Sequence, residues 1–170
     1  MKQFLFSIVI ALQSMALLAQ YCNPDMDATT PTQDFTDNGD GTVTHLRTGL
    51  TWMRCSIGQT WESTGNTCAG TASTHFWADA MAQANGLTFS GQSDWRVPNI
   101  KELASIGEKS CWEPAINKTL FPATAPNSFY WSASPNAGTS TFIWMHSLAY
   151  SDIFVTWKDV SGNVRLIRVQ

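Results

Sequence analysis

Residues 93–103 read Ser93-Asp94-Trp95-Arg96-Val97-Pro98-Asn99-Ile100-Lys101-Glu102-Leu103, and they are the densest run of distinctive residues in this 170-residue chain. Asn99 and Glu102 are spaced as a capping box, which predicts that a helix begins directly after Asn99. An acidic and a basic residue flank Trp95, and this pattern predicts an ion pair that braces a buried ring. We therefore interpret Asp94, Trp95 and Arg96 as structural residues.

Two helices are predicted around this stretch. Apolar residues recur at i, i+3, i+4 and i+7 along residues 74–85, which predicts one buried helix face. Thr74 is placed to cap the start of this helix, and Gly86 stands where a left-handed C-terminal residue is expected. In the second helix, which opens at the capping box, Ile100, Leu103 and Ile106 are expected to face inward before Gly107 ends it.

The remaining chain has the texture of β-structure. Turn-forming residues 37–41 precede two β-prone runs, 42–46 and 50–54, and this predicts a hairpin. Four further strands are predicted at 129–132, 141–148, 153–157 and 164–169. We expect an α+β domain in which the last strands close on the first hairpin and Trp131 has a structural role.

The Asp37-Asn38-Gly39-Asp40-Gly41 turn also raises the alternative of a calcium loop. An EF-hand loop needs a bidentate Glu at its twelfth position, where this chain has Thr48, and a strand is predicted to follow instead of a helix. A plain turn is the favoured interpretation, and no metal or other cofactor is predicted.

Four cysteines, Cys22, Cys55, Cys68 and Cys111, allow three disulfide pairings. Cys55 and Cys68 flank a polar loop that a local bridge would close, and Cys22 would then pair with Cys111. The longer bridge is expected to contribute about 4 kcal/mol through loss of chain entropy in the unfolded state. A zinc site is disfavoured because no two cysteines are closely spaced.

The N-terminus reads as an export signal. Residues 1–19 contain Lys2 and an apolar centre from Phe4 to Leu12, which is shorter than the ~20 residues that a membrane span needs. We divide the chain into a signal peptide at 1–19, an extended lead-in at 20–34 and one domain at 35–170. The predicted location is the periplasm, the cell surface or the extracellular medium.

Charge and motif searches exclude several function classes. Loss of Lys2 leaves nine basic against 13 acidic side chains, a formal charge of −4, which argues against nucleic acid as a partner. The three histidines are scattered, and no phosphate-binding loop or Gly-x-Ser-x-Gly elbow is present. No pair of carboxylates is singled out by its spacing. We predict that the protein is not an enzyme.

Ligand contacts are expected near the C-terminal strands. Trp144, Tyr150 and Trp157 lie in a Trp-rich region interrupted by loops, where we expect stacking on sugar rings or partner side chains. Strand alternation places Phe142, Trp144 and His146 on one face, and one of the two faces must be core. Lys158 and Arg165 are candidates for a local positive charge.

With these residues considered, the chain resembles a family of bacterial exported domains named for the C-terminal domain of the Legionella collagen-like adhesin. The resemblance runs from about Phe35 to Val169. Its matching pieces are Asp40-Gly41-Thr42-Val43, Thr48-Gly49-Leu50-Thr51-Trp52, Trp77-Ala78-Asp79-Ala80, the 93–103 stretch, Ala115-Ile116-Asn117 with Phe121-Pro122, Tyr130-Trp131-Ser132-Ala133-Ser134-Pro135 and Val164-Arg165-Leu166-Ile167-Arg168.

The resemblance implies a C-type-lectin-like fold, related to that of formylglycine-generating enzymes, with two helices packed on a mostly antiparallel sheet and long loops. It also implies an adhesin-like domain, since the eponymous domain is implicated in adhesion to sulfated glycosaminoglycans. The calcium and sugar signature of true C-type lectins is absent, because Glu113-Pro114 continues to Ala115.

Three functional hypotheses follow. The first is an exported, non-catalytic module that recognises a glycan or a protein surface. The second is a cysteine-dependent enzyme by analogy with the formylglycine-generating relatives, and it requires a free thiol. The third is a structural subunit of a surface assembly, for which an oligomer is possible.

Overall fold

The computed structural model of the protein describes residues 20–169, so the predicted signal peptide at 1–19 lies outside the described residues. The two helices are α1 (Trp77–Ala82) and α2 (Ile100–Ala104), and a 3-10 turn spans Thr32–Asp34. The strands are β1 (Tyr21–Cys22), β2 (Phe35–Asp37), β3 (Thr42–His45), β4 (Leu50–Met53), β5 (Thr60–Glu62), β6 (Thr67–Ala69), β7 (Thr74–His75), β8 (Cys111–Trp112), β9 (Phe129–Pro135), β10 (Phe142–Ser147), β11 (Asp152–Trp157), β12 (Gly162–Asn163) and β13 (Ile167–Val169). The fold is α+β.

A four-stranded antiparallel sheet has the order β13-β4-β3-β2. The hairpin predicted from residues 42–54 is confirmed, with Thr42 opposite Met53 and His45 opposite Leu50. The C-terminal strand β13 pairs antiparallel with β4, so the last strand does close on the first hairpin.

A five-stranded sheet has the order β11-β10-β9-β12-β7. Its pairs are antiparallel except for a single parallel pairing of β12 with β9. Strand β12 is only two residues long, and its Gly162 and Asn163 pair with His75 and Thr74 of β7. This sheet carries β10 and β11 at one edge, where the C-terminal aromatic residues lie.

The 93–103 stretch joins the two sheets. The backbones of Arg96 and Ile167 exchange hydrogen bonds of 2.8 and 2.9 Å, and Ala133 donates its amide to the carbonyl of Pro98 at 2.7 Å. The predicted capping box is present, with Asn99 and Glu102 each accepting from the other's backbone amide. Because the segment bonds to both β13 and β9, it fixes where α2 begins.

The predicted burial of Trp95 is confirmed, but the ion pair expected between its two neighbours is wrong. Arg96 forms a two-pronged ion pair with Glu102 at 2.7 and 2.8 Å, and Asp94 accepts from Arg168 at 2.7 Å. Asp94 and Arg96 thus contact different elements, because Glu102 in the first turn of α2 offers Arg96 two carboxylate oxygens and Arg168 of β13 lies beside Asp94.

The first helix is shorter than predicted. It begins at Trp77, and Thr74 and His75 belong instead to β7, paired with Asn163 and Gly162. The predicted cap by Thr74 is therefore wrong, because strand pairing to β12 competes with helix formation at these residues. The apolar face is as expected, since Ala80 is buried and Trp77 and Met81 pack beside it.

Two apolar clusters fill the interior. One lies between the four-stranded sheet and α2 and contains Val43, Trp52, Leu103, Ile106 and Phe121. The other lies between the five-stranded sheet and α1. Its central members are Ala80, Trp95, Trp131, Ile143, Met145 and Val164. Trp131, predicted to be structural, is completely buried, and its Nε1 donates to the His75 carbonyl at 2.7 Å.

Both favoured disulfides form, Cys22–Cys111 and Cys55–Cys68. In residues 20–169 no cysteine is left unpaired, as is typical of exported proteins in an oxidising environment. In the same residues, no helix has the length and apolar character needed to cross a membrane.

The lead-in at 20–34 is docked on the body. Cys22 lies opposite Cys111 in the β1–β8 pair, and Gln20 donates to the Pro114 and Ile116 carbonyls. The carboxylate of Glu108 accepts from the amides and hydroxyls of Thr29 and Thr30 at 2.8–3.1 Å. The lead-in thus has a covalent and a polar anchor.

Candidate recognition surface

The hairpin of β10 and β11 exposes an apolar face. In the antiparallel register, Phe142 lies opposite Trp157, Trp144 opposite Val155 and His146 opposite Ile153. Cross-strand partners and alternate residues share a face, so these side chains form one surface. We call Phe142, Trp144, Ile153, Val155 and Trp157 the hairpin face.

The hairpin face is open to solvent along β11. Trp157 is 54% exposed, Ile153 45% and Val155 39%, whereas Phe142 and Trp144 are half-buried. The rings of Phe142 and Trp157 pack with their centroids 4.4 Å apart, which holds the large Trp157 ring in place. Contiguous exposed apolar surface of this kind marks interaction sites.

The opposite side of β10 and its neighbour β9 is core. Ile143 and Met145 alternate with the hairpin-face residues and are completely buried, and Met145 lies opposite the buried Trp131. The core therefore anchors the strand whose outer side carries Trp144. At the far end of the strand, His146 is buried against Gly107, just after α2.

The two tryptophans predicted to contact ligand thus come together on one surface, but the predicted cations do not join them. Lys158 follows Trp157 and projects to the other side of the sheet, where its ammonium lies 4.7 Å from the centre of the Trp77 ring. In this cation–π contact the Lys158 ammonium lies over a ring at the start of α1. Lys158 therefore lies apart from the hairpin face.

Tyr150 lies in the turn at the other end of the hairpin and is 58% exposed. Its hydroxyl donates to Glu113 Oε1 at 3.1 Å, and this carboxylate raises the pKa of Tyr150. Six residues of extended strand separate this end from Trp157, a span of about 20 Å. Beside Glu113 the exposed rings of Tyr21 and Trp112 stack with centroids 5.9 Å apart.

The expectation that Arg165 offers a surface charge is wrong. Its side chain is 1% exposed, and its guanidinium donates to the Met53 carbonyl at 3.1 Å, to the Arg54 carbonyl and to Thr124 Oγ1 at 3.0 Å. It also lies over the Phe121 ring. Interior carbonyl and hydroxyl oxygens accept from its two terminal nitrogens, while Nε has no partner, so Arg165 braces the core.

Apart from the hairpin face, a concavity lies beside the Cys55–Cys68 bridge. It has a volume of about 450 Å³ and is lined mainly by Met53, Ile57, Trp61, Leu87 and Phe89. Its Trp61 ring stacks under the Arg54 guanidinium at 4.3 Å. The size is in the range of small-molecule sites, but the lining offers few polar groups to orient a ligand.

Two serine–histidine pairs in residues 20–169 are in hydrogen-bond contact: Ser73 Oγ with His75 Nε2 at 2.7 Å, and Ser151 Oγ with His146 Nε2 at 3.3 Å. The Ser73 hydroxyl also donates to the Ile57 carbonyl at 3.2 Å, so its proton is not directed at His75. Burial lowers the pKa of His146 to about 4, and its Nδ1 has no hydrogen-bond partner to orient the ring. A nucleophile–base pair normally has such an orienting group. Within the same part of the chain, no three metal-binding side chains cluster.

Sequence reasoning placed Phe142 on one face with Trp144 but missed Ile153 and Val155 as parts of the same surface. The alternation Ile153, Val155, Trp157 was visible, but only the pairing register shows that it lies beside Trp144. The residues that line the concavity beside the Cys55–Cys68 bridge come from separate segments, and no spacing in the sequence connects Trp61 to Phe89.

The comparisons agree with the resemblance seen in the motifs. A family model described as the Lcl C-terminal domain matches residues 41–168, which is most of the chain. Comparison with curated proteins gives no match.

Proposed function

The chain belongs to the Lcl C-terminal domain family, and from this premise we propose that it is an exported, non-catalytic recognition module that binds a glycan or a protein surface. The family suggests an adhesin-related domain. The proposed contact is the hairpin face, with Trp157 and Trp144 as its principal residues.

One observation carries the proposal: a Trp-containing apolar surface is exposed on the β10–β11 pair, and the other side of β10 is packed into the core. Flat sheet faces present aromatic rings in a fixed plane, and binding then costs little side-chain ordering. Trp and Tyr dominate recognition hot spots because one ring offers a large contact area. The acidic chain favours neutral or cationic partner surfaces over sulfated polymers.

The C-type-lectin-like relationship is part of the same proposal. It is supported by two short helices that pack on a mostly antiparallel sheet, by a terminal strand paired to the first hairpin and by disulfide-tied loops. The proposed location is the cell surface, the periplasm or the medium.

A cysteine-dependent enzyme is the alternative. It needs a thiolate nucleophile, and the two disulfides occupy Cys22, Cys55, Cys68 and Cys111. Thiol titration of the native protein tests it directly, since four blocked cysteines would remove that mechanism. A structural subunit of a surface assembly is the third possibility.

The recognition proposal is tested by screening residues 20–170 on a glycan array and by pull-down from surface extracts. For any ligand found, Trp157→Ala and Trp144→Ala are expected to weaken binding about tenfold or more, as for hot-spot residues. Trp112→Ala is the matched control, because Trp112 is an exposed tryptophan away from the hairpin face. Signal no higher than background in both screens, or equal losses in all three variants, would refute the proposal.

A further inference from the structure

Strand β11 is the edge of the five-stranded sheet, and in residues 20–169 it pairs with β10 alone. Lys158 donates its amide to the Thr141 carbonyl at 3.3 Å, while the Phe142 carbonyl accepts from Asn136 on the β9 side. In an antiparallel pair, residues that bond to the neighbouring strand alternate with residues that do not, and these two bonds show which residues of β11 belong to each set. Residues 153, 155 and 157 therefore direct their backbone groups away from β10, toward the open edge, where the Trp157 carbonyl also accepts from the Val160 amide at 3.5 Å.

This edge lacks the usual protection. Natural edge strands are blunted by Lys, Pro, a bulge or very short length. β11 reads Asp152-Ile153-Phe154-Val155-Thr156-Trp157, and its register with β10 is continuous over all six residues. The other edge of this sheet, β7, has two residues, and β13 in the second sheet is bridged to Arg96. An open apolar edge of this length is a template for another strand.

We propose that β11 pairs antiparallel with β11 of a second copy of this chain, centred on Val155, to form a continuous ten-stranded sheet across a two-fold axis. In this register Val155 faces itself and Ile153 faces Trp157 of the second copy. The backbone groups that point outward at these positions meet as hydrogen-bonded pairs.

Charge complementarity identifies a second copy as the occupant. The same register places Asp152 opposite Lys158 of the second copy, twice across the axis, because the strand carries an acidic residue at one end and a basic residue directly after the other. In the dimer the Lys158 ammonium moves from the Trp77 ring, which it covers within one chain, to the carboxylate of the second copy. Opposite charges facing each other across strands are favourable, and like charges are unfavourable. The strand is thus complementary to itself in this antiparallel register.

The dimer extends the hairpin face, because Ile153, Val155 and Trp157 of both copies lie on the same side of the joined sheet. It does not depend on the proposed function, since the pairing uses the strand edge and leaves the face open. Six residues from each copy make a small interface, so we expect dissociation on the order of micromolar.

The test is sedimentation velocity of residues 20–170 over a dilution series reaching about 1 mM, well above the expected dissociation constant. A concentration-dependent doubling of mass is expected. Asp152→Lys places Lys opposite Lys at both ends and should weaken the dimer at least tenfold. The double variant Asp152→Lys with Lys158→Asp restores opposite charges and should recover it.

Val155→Pro is a further variant, because its missing amide hydrogen points to the open edge and the β10 ladder is kept. Far-ultraviolet circular dichroism confirms folding of each variant, and the charge pair alone decides the outcome if the proline variant fails to fold. If the protein stays monomeric at every concentration of the dilution series, the proposal is wrong, even if a strand of another protein binds to that monomer. A dimer unaffected by Asp152→Lys, or not recovered in the double variant, also contradicts it.

Discussion

Replacement of Glu108 by Gln tests how the lead-in is held to the body. The buried carboxylate accepts from Thr29 and Thr30 of the lead-in and from the amide and hydroxyl of Ser110 at 3.0 and 2.7 Å. All these groups are donors, so an ionised carboxylate satisfies them and a carboxamide, with donors of its own, does not. The side chain keeps its size, and the change removes charge and acceptor capacity.

The magnitude follows from the pKa of Glu108. Burial alone would raise this pKa, but the hydrogen bonds from Thr29, Ser110 and Thr30 outweigh it and lower the pKa from 4.5 to about 2. At about 1.4 kcal/mol per pKa unit, the ionised carboxylate stabilises the fold by about 3 kcal/mol. Because the folded-state pKa is depressed, this contribution is complete above pH 4.5 and is lost as the pH falls toward 2.

The assay is urea unfolding followed by Trp fluorescence between pH 2 and pH 7, with both disulfides kept oxidised. Glu108→Gln is expected to reduce the free energy of unfolding by about 3 kcal/mol at pH 7 and to flatten its dependence on pH below 4.5. Glu62→Gln, at an exposed position on β5, is the control and should change stability little. An acid limb of equal steepness in wild type and Glu108→Gln would refute the reasoning.

Two further predictions concern the interior and a turn. Burial lowers the pKa of His146 to about 4. The unfolded chain therefore binds more protons than the folded protein between pH 6.5 and 4, so wild type should lose up to about 3 kcal/mol of stability as the pH falls through that window. The same urea titration should show no such loss in His146→Gln. Gly41 has φ +88°, and a Cβ there would lie 2.7 Å from the Trp61 ring, so Gly41→Ala should cost about 2–3 kcal/mol in thermal or urea unfolding. Gly39→Ala, at φ +77° with open space around it, should cost about 1 kcal/mol, and equal losses at both glycines would contradict the steric reasoning.

Local sequence signals predicted the parts of the fold whose causes are local. The capping box fixed the start of α2 because Asn99 and Glu102 satisfy each other's backbone within one turn. The Cys55–Cys68 bridge was favoured because the intervening loop is short, and that choice left Cys22 with Cys111. These signals need no knowledge of distant chain segments.

Contacts between residues far apart in the sequence determine the environments that local sequence signals predicted wrongly. Thr74 has the chemistry of a helix cap, yet β12, almost 90 residues later, draws it into a strand. Arg165 looks like a surface cation, yet Thr124 and the carbonyls of Met53 and Arg54 converge on it in the interior. In both cases the partners are remote in sequence, so propensity alone assigned the residue to the wrong environment.

The hairpin face also depends on long-range pairing, and the side chains of β11 give a reason to regard it as a recognition surface. The outward residues of β11, Ile153, Val155 and Trp157, are more apolar than the alternate set Asp152, Phe154 and Thr156. A shift of one residue would exchange the two sets, so burial energy alone would favour the opposite facing. The continuous register with β10 instead keeps the more apolar set in solvent. A strand that exposes its more apolar side forgoes folding stability, and a partner that covers the hairpin face would recover that hydrophobic free energy on binding.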